Sequence, residues 1–395
     1  MGHYLTCEEN FNGYFRKDTT ASPATPLEAR YGIGSSATVA WWQHDTRFNV
    51  ITTPNEPNRH GWVVEIDPFD PGSTPHKRTA LGRLKHEGAW IEEADDGRIV
   101  CYLGDDQINE YIYRYVSSGP WQEMMDDGVH PLDDGILYVA KFNADGTGEW
   151  LPLTTSNPAL SGFASIGDIL INARAAADAV GATRMDRPEW IDVYKPNKEV
   201  YVTLTNNSGR GGASPPNYPI DAANPRASNV YGHIVKWGYP NDFTDNVLYW
   251  EIFALAGDPA NAAHGSTIIG DKYGSPDGLY FAPSGRMWIQ TDVSGSTIGS
   301  GAYAGFGNNQ MLCADPNTKE TRRFLVGPKQ CEVTGVFATP DEKTLFVGIQ
   351  HPGEAPSGSL SPANPTQHSS WPDGGARPRS SLLAITKDDG GMIGT

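Results

Sequence analysis

The chain has no apolar run near the roughly 20 residues that a membrane-crossing helix needs, so a helical membrane span is excluded. It is short of positive charge: 30 Lys and Arg stand against 47 Asp and Glu, a net charge of −17. That balance argues against a nucleic-acid-binding role, which needs a basic footprint to displace counterions. The four cysteines (Cys7, Cys101, Cys313 and Cys331) show no CxxC spacing, which removes zinc ribbons and thioredoxin-like sites. Two disulfides are possible on count alone, but a chain of 395 residues does not need them. There is no G-x-S-x-G elbow, no P-loop and no G-x-G-x-x-G. His86-Glu87 lacks a second histidine four residues after the first, where Trp90 stands, so a helical zinc protease is excluded too. No signal peptide is expected ahead of the first motif, because only six residues precede Cys7.

What the chain does hold is turn chemistry and aromatic bulk. Its 44 glycines and 30 prolines favour many short strands over long helices. Eleven Trp, 17 Tyr and 13 Phe supply a sizeable core and argue against disorder. Apolar and polar positions alternate, with β-branched and aromatic enrichment, over 61–67, 98–103, 110–116, 135–142, 199–205, 233–237 and 247–254. The pattern returns over 278–282, 286–291, 310–314, 322–326, 333–339, 344–350 and 382–386. Two hairpins are explicit: SPDGLYFAPSGRMWIQTD over 275–292, and VTGVFATPDEKTLFVGIQ over 333–350. Such strand–turn–strand units are how propeller blades present themselves in sequence. One helix is expected over 166–180, stopped by Gly181. Long loops are expected over 206–228 and 352–380. Nothing reads as a linker, so the expectation is one domain over 1–395.

Several acidic groupings could carry chemistry. In an extended Cys7-Glu8-Glu9-Asn10, Cys7 and Glu9 share one face while Glu8 and Asn10 take the other. A thiolate among carboxylates suits a transition metal, and carboxylate oxygens suit a hard cation. From the tetrapeptide alone, a buried, inert cysteine beside solvated acids is the simpler reading. The pair Asp105-Asp106 reads alone as a turn. Arg187 offers a planar fork for phosphate or carboxylate, with Glu189 two residues on; a surface ion pair is the plainer alternative. Asn206-Asn207, Asp277, Asp292 and Glu332 lie at strand ends, where propeller ligands converge, though each by itself reads as a turn or cap. His351 and His368 sit in loops and are expected to be bystanders.

Together these segments resemble a known family. CEENFNGYF (7–15), LGRLKHEGA (81–89), YLGDD (102–106), TRMDRPEW (183–190), YVTLTNN (201–207) and GHIVKW (232–237) are similar, in order, to the PhoX-type alkaline phosphatases. So are SPDGLYF (275–281), MWIQTD (287–292), CEVTGVFATPD (331–341), IQHPGE (349–354) and ITKDDGG (385–391). The resemblance implies an all-β, six-bladed propeller with one inserted helix, hydrolysing phosphate monoesters at a cluster of two Fe3+ and several Ca2+. It implies Cys7, Glu87 and Glu189 as iron ligands and Arg187 as the phosphate-holding arginine. Glu8, Glu9, Asp105, Asn206, Asp277, Asp292 and Glu332 become candidates for calcium or the remaining iron positions. The nucleophile is expected to be a metal-held oxygen, since no serine motif is present. The family's phosphate-contacting tyrosine receives no position. Family members are exported by the twin-arginine route to the periplasm or beyond, and carry a region ahead of the Cys-Glu-Glu-Asn motif, so this chain is expected to be an N-terminally shortened form with an incomplete propeller. A monomer is expected. A calcium-dependent propeller lactonase or phosphotriesterase, without a cysteine ligand, is the rival from the same fold class; a non-catalytic propeller scaffold is the second.

Overall fold

The computed structural model describes residues 2–18, 20, 22–213, 218–354, 361–375 and 377–394. Parts of both expected long loops, 214–217, 355–360 and 376, lie outside the described residues. The chain is mostly β, as the turn chemistry requires. It divides into two compact units: residues 1–188 with 239–249, and residues 189–238 with 250–395.

The first unit is built on an antiparallel sheet. Its strands run, in spatial order, His86–Glu93, Arg98–Asp105, Ile112–Pro120, Gly135–Phe142 and Thr147–Pro152, with Val247, Leu248 and Tyr249 paired to the last. Alternate residues Cys101 and Leu103 face a core that also takes Tyr113, Tyr115, Leu137 and Val139, all buried. A smaller sheet joins Tyr4–Cys7 to Val63–Ile66 and His76–Lys77, setting Cys7 opposite Val63. The expected single helix is two: Ile166–Ile171 and Ala173–Val180. The break is at Asn172 (φ −111°, ψ 38°), whose side-chain amide bonds the Asp168 carbonyl at 3.1 Å and its carboxylate at 2.9 Å. Such a side chain offers the backbone an alternative to the helix ladder. Gly181 closes the second helix in the left-handed conformation (φ 75°), as expected. Ala173, Arg174, Ala176 and Ala177 form its buried face.

The second unit holds three antiparallel groups: Glu189–Tyr194 (within the strand Pro188–Tyr194) with Glu199–Leu204 and His233–Gly238; Pro276–Phe281 through Glu320–Val326; and Glu332–Ala338 with Thr344–Gln350 and Ser381–Thr386. Both hairpins form as their turn chemistry dictates, with Leu279 opposite Ile289 and Val336 opposite Val347. Each carries a register shift near its start, between Pro276 and Leu279 and between Val333 and Val336. Bulges of this kind re-aim side chains at strand ends, where Asp277 and Glu332 sit. No described helix is long and apolar enough to cross a membrane. The described cysteines are all free.

Candidate active site

In the first unit the chain enters the site along Tyr4–Cys7. The Glu8 N–H donates to the Trp62 carbonyl at 3.0 Å, and the Glu8 carbonyl accepts the His86 N–H at 3.3 Å. Three segments are thereby tied side by side, and they deliver Glu9, Glu87 and Asp106 to one place. One carboxylate oxygen of each lies within 4.8 Å of the others.

Three carboxylates at that spacing repel one another, and the electrostatics record it. Burial, then the charge of Asp106, push Glu9 up to about 7 against the opposing pull of Lys85 and Arg187. Burial, then Glu87 and Glu9, push the Cys7 thiol up to about 12. A cation among these groups would reverse both shifts, so the donor set, three carboxylates with a neighbouring thiol, fits a metal ion. His86 is fully buried and pushed down to about 4, mainly by burial, so it is neutral; its Nε2 meets the Gly82 carbonyl at 2.8 Å.

Arg187 forks Asp106: Nε donates to Oδ1 at 2.8 Å and Nη2 to Oδ2 at 2.9 Å. It does so with φ 60°, a conformation that non-glycine residues adopt at a cost. The fork fixes the plane of the guanidinium beside the carboxylate cluster.

Two sequence candidates of this unit are directed elsewhere. Glu8 takes the N–H groups of Gly61 at 3.0 Å and Trp62 at 3.1 Å, and Lys77 Nζ at 2.6 Å. Gly61 reaches this contact at φ 93°, with Phe11 and the Leu84 carbonyl where a Cβ would stand. Asp105 is fully buried against Arg174, whose Nε donates to it at 2.8 Å. Its neighbour Asp106, expected as part of a turn, is the residue in the cluster. The Asp-Asp pair was the visible signal; which of the two faces the site was not.

In the second unit the strand-end acids Asp277, Asp292 and Glu332 converge, again with carboxylate oxygens within 4.8 Å of one another. Glu332 also accepts from Gln350 Nε2 at 3.0 Å, and His351 Nε2 lies 3.2 Å from it. His351, expected to be a bystander, therefore borders this triad; the hydrogen bond to Glu332 raises its pKa. Glu189 is buried, and its carboxylate accepts the Thr205 hydroxyl. Gly232 lies so close behind that any Cβ would meet the Thr205 and Leu204 carbonyls at 2.2 and 2.3 Å. Asn206 follows the strand Glu199–Leu204 and is half-buried.

A family model described as alkaline phosphatase PhoX matches residues 1–353. The structure of Pseudomonas fluorescens PhoX in complex with vanadate, a transition state analogue, is similar at 47% identity and a TM-score of 0.89, covering 100% of this chain and 69% of that one. This likeness assigns the expected β-propeller class. A candidate 6-phosphogluconolactonase of Bacteroides uniformis is similar at only 9% identity and a TM-score of 0.33, over 74% of this chain and 71% of that one, and carries no argument. No curated protein matches the sequence.

Proposed function

Starting from the fact that this chain belongs to the PhoX alkaline phosphatase family and is a phosphatase hydrolase, we propose that it releases inorganic phosphate from phosphate monoesters at an iron–calcium site. The observation that carries this reading is the fork of Arg187 on Asp106 beside the Glu9–Glu87–Asp106 triad: a phosphate grip set against a cation seat. Cys7, Glu87 and Glu189 are the proposed iron ligands. Asp277, Asp292 and Glu332, with Glu9, Asp106 and Asn206, are proposed for calcium or the second iron. Glu8 and Asp105 are left out of this set: Glu8 is occupied by the Gly61 and Trp62 N–H groups and Lys77, and Asp105 is fully buried against Arg174.

When bound, such cations supply Lewis-acid stabilisation to the phosphoryl oxygens and acidify a water for attack. The chain's own contribution is orientation and charge. Arg187, held in plane by Asp106, presents a rigid cationic fork to the non-bridging oxygens, whose charge is spread most widely in the transition state. Thr205 fixes one oxygen of Glu189. Asp292 is anchored through its N–H to the Ser275 carbonyl at 3.0 Å, which sets its carboxylate at the strand end.

The family is a secreted bacterial phosphatase. Export by the twin-arginine route, a periplasmic or extracellular location, a single propeller domain over the whole chain and a monomeric state complete the proposal.

The test is elemental analysis of the purified chain alongside turnover of p-nitrophenyl phosphate, a phosphotriester and a lactone. Iron with several calcium ions and monoester preference support the reading. Calcium alone with triester or lactone preference overturns it in favour of the lactonase-type rival. A folded, metal-bearing chain with no turnover overturns it in favour of a scaffold.

A further inference from the structure

Arg174 reaches the site from the helix Ala173–Val180, which nothing in the proposed chemistry uses. Its guanidinium is fully buried, as is Asp105. Nε donates to Asp105 Oδ2 at 2.8 Å and Nη2 donates to Asp105 Oδ1, closing a bidentate pair. Nη1 donates to Gln107 Oε1 at 3.1 Å and to the Arg30 carbonyl at 3.3 Å. One guanidinium therefore grips residues 105 and 107, and the residue between them is Asp106.

The backbone makes that grip consequential. The Gln107 N–H returns to the Asp105 carbonyl at 2.7 Å, a three-residue turn with Asp106 at its apex. With both flanking side chains held on the helix side, the Asp106 carboxylate leaves on the other side, where it forks Arg187. The Asp105 carboxylate also accepts the Lys85 N–H at 3.2 Å, while the Lys85 carbonyl accepts the Asp106 N–H at 3.0 Å. The strand that carries Glu87 begins one residue later, so Asp105 joins the two segments that supply Asp106 and Glu87. Glu110 lies 3.7 Å from Arg174 Nε and pairs in turn with the half-buried Arg30.

We propose that Arg174 is a positioning residue for phosphate recognition: through Asp105 and Gln107 it aims Asp106, and through Asp106 it sets the plane of Arg187. The inference rests on the phosphatase reading, which makes Arg187 the phosphate grip.

Two variants test it in the metal-loaded protein. Arg174→Lys keeps the charge and loses the planar fork. The double variant Asp105→Leu/Arg174→Met removes both charges at once, a change that buried pairs tolerate with little loss of stability. The measurements are vanadate affinity by calorimetry, KM and kcat for p-nitrophenyl phosphate, metal content and thermal midpoint. Supporting partners one step behind a site are worth about ten- to a hundredfold. The expected result is a loss of vanadate affinity and a rise in KM of about that size, in step and persisting at saturating iron and calcium, with kcat less changed. A folded double variant that binds vanadate within twofold of wild type overturns the proposal. So does an affinity loss that excess iron and calcium restore in full, which would make the effect one of metal binding alone. If the double variant does not fold, Arg174→Lys decides by the same criteria. Wild type that neither hydrolyses the monoester nor binds vanadate overturns the phosphatase reading, and the positioning role with it; wild type that does both, beside an unaffected variant, overturns the positioning role alone.

Discussion

Replacing Arg187 with glycine should separate stability from activity. The residue sits at φ 60°, where an L-residue carries a cost of about 1–2 kcal/mol that glycine escapes. Against that gain, glycine loosens the unfolded chain by about 0.5–1 kcal/mol. The lost ion pair with Asp106 is partly screened, since the Arg187 side chain is 26% exposed, and is worth about 1 kcal/mol. The three terms cancel to within about 1 kcal/mol, so the thermal midpoint should move by roughly 2 °C or less. Activity has no such compensation. A fork to phosphate makes two charge-assisted hydrogen bonds of about 1.5–3 kcal/mol each, so kcat/KM should fall by about 10²- to 10⁴-fold. Arg187→Ala is the control: it loses the fork but keeps the backbone cost, and should be less stable than the glycine variant by about 1 kcal/mol. The assays are scanning calorimetry and p-nitrophenyl phosphate turnover on metal-loaded protein. A glycine variant within tenfold of wild-type kcat/KM refutes the grip, and an alanine variant as stable as the glycine one refutes the strain argument.

The remaining expectations concern the thiol and the acid limb. Cys7→Ala should strip iron and activity together while leaving the metal-free thermal midpoint nearly unchanged, and full activity in that variant would sink the assignment of the thiol. Glu65 is pushed up by burial, but hydrogen bonds from His130, His3 and Arg78 outweigh this and hold its pKa at about 2, below the usual 4.5. Its folded pKa is depressed, so the stability it contributes is present in full above about pH 4.5 and is lost as pH falls towards 2, at most roughly 3 kcal/mol. Urea midpoints at pH 7 and pH 3 should therefore converge in Glu65→Gln relative to wild type; an unchanged gap between the two pH values would contradict this.

How much of the site was legible follows from where the deciding contact lies in the chain. The hairpins over 275–292 and 333–350 were readable because a Pro-Ser-Gly or Pro-Asp-Glu turn settles its own strands locally. The shared face of Cys7 and Glu9, opposite Glu8, followed from strand alternation, and the structure sends Glu8 to Lys77 while Glu9 joins the triad. Glu87, Glu189 and Arg187 enter only through the family resemblance, since a lone carboxylate or arginine has no pattern of its own; the structure sets Glu87 with Glu9 and Asp106, and Arg187 on Asp106. The break at Asn172 was missed because helix propensity over 166–180 says nothing about a side chain that prefers the Asp168 carbonyl.

Asp105 and Asp106 show the limit most directly. Adjacent acids are interchangeable to any local rule, and their division is set by Arg174, 69 residues away in sequence from Asp105. Each of these acids has a protein cation beside it, so what separates Asp105 from Asp106 is how far that pair is buried. Lys77 claims Glu8 and Arg174 claims Asp105, whereas the cation beside Asp106 is Arg187, whose own partner is expected to be the substrate. Of the two adjacent acids, the one to credit is therefore the one whose arginine is itself exposed enough to meet a ligand. By that criterion Asp106, with Arg187 26% exposed, qualifies, and Asp105, with Arg174 fully buried, does not.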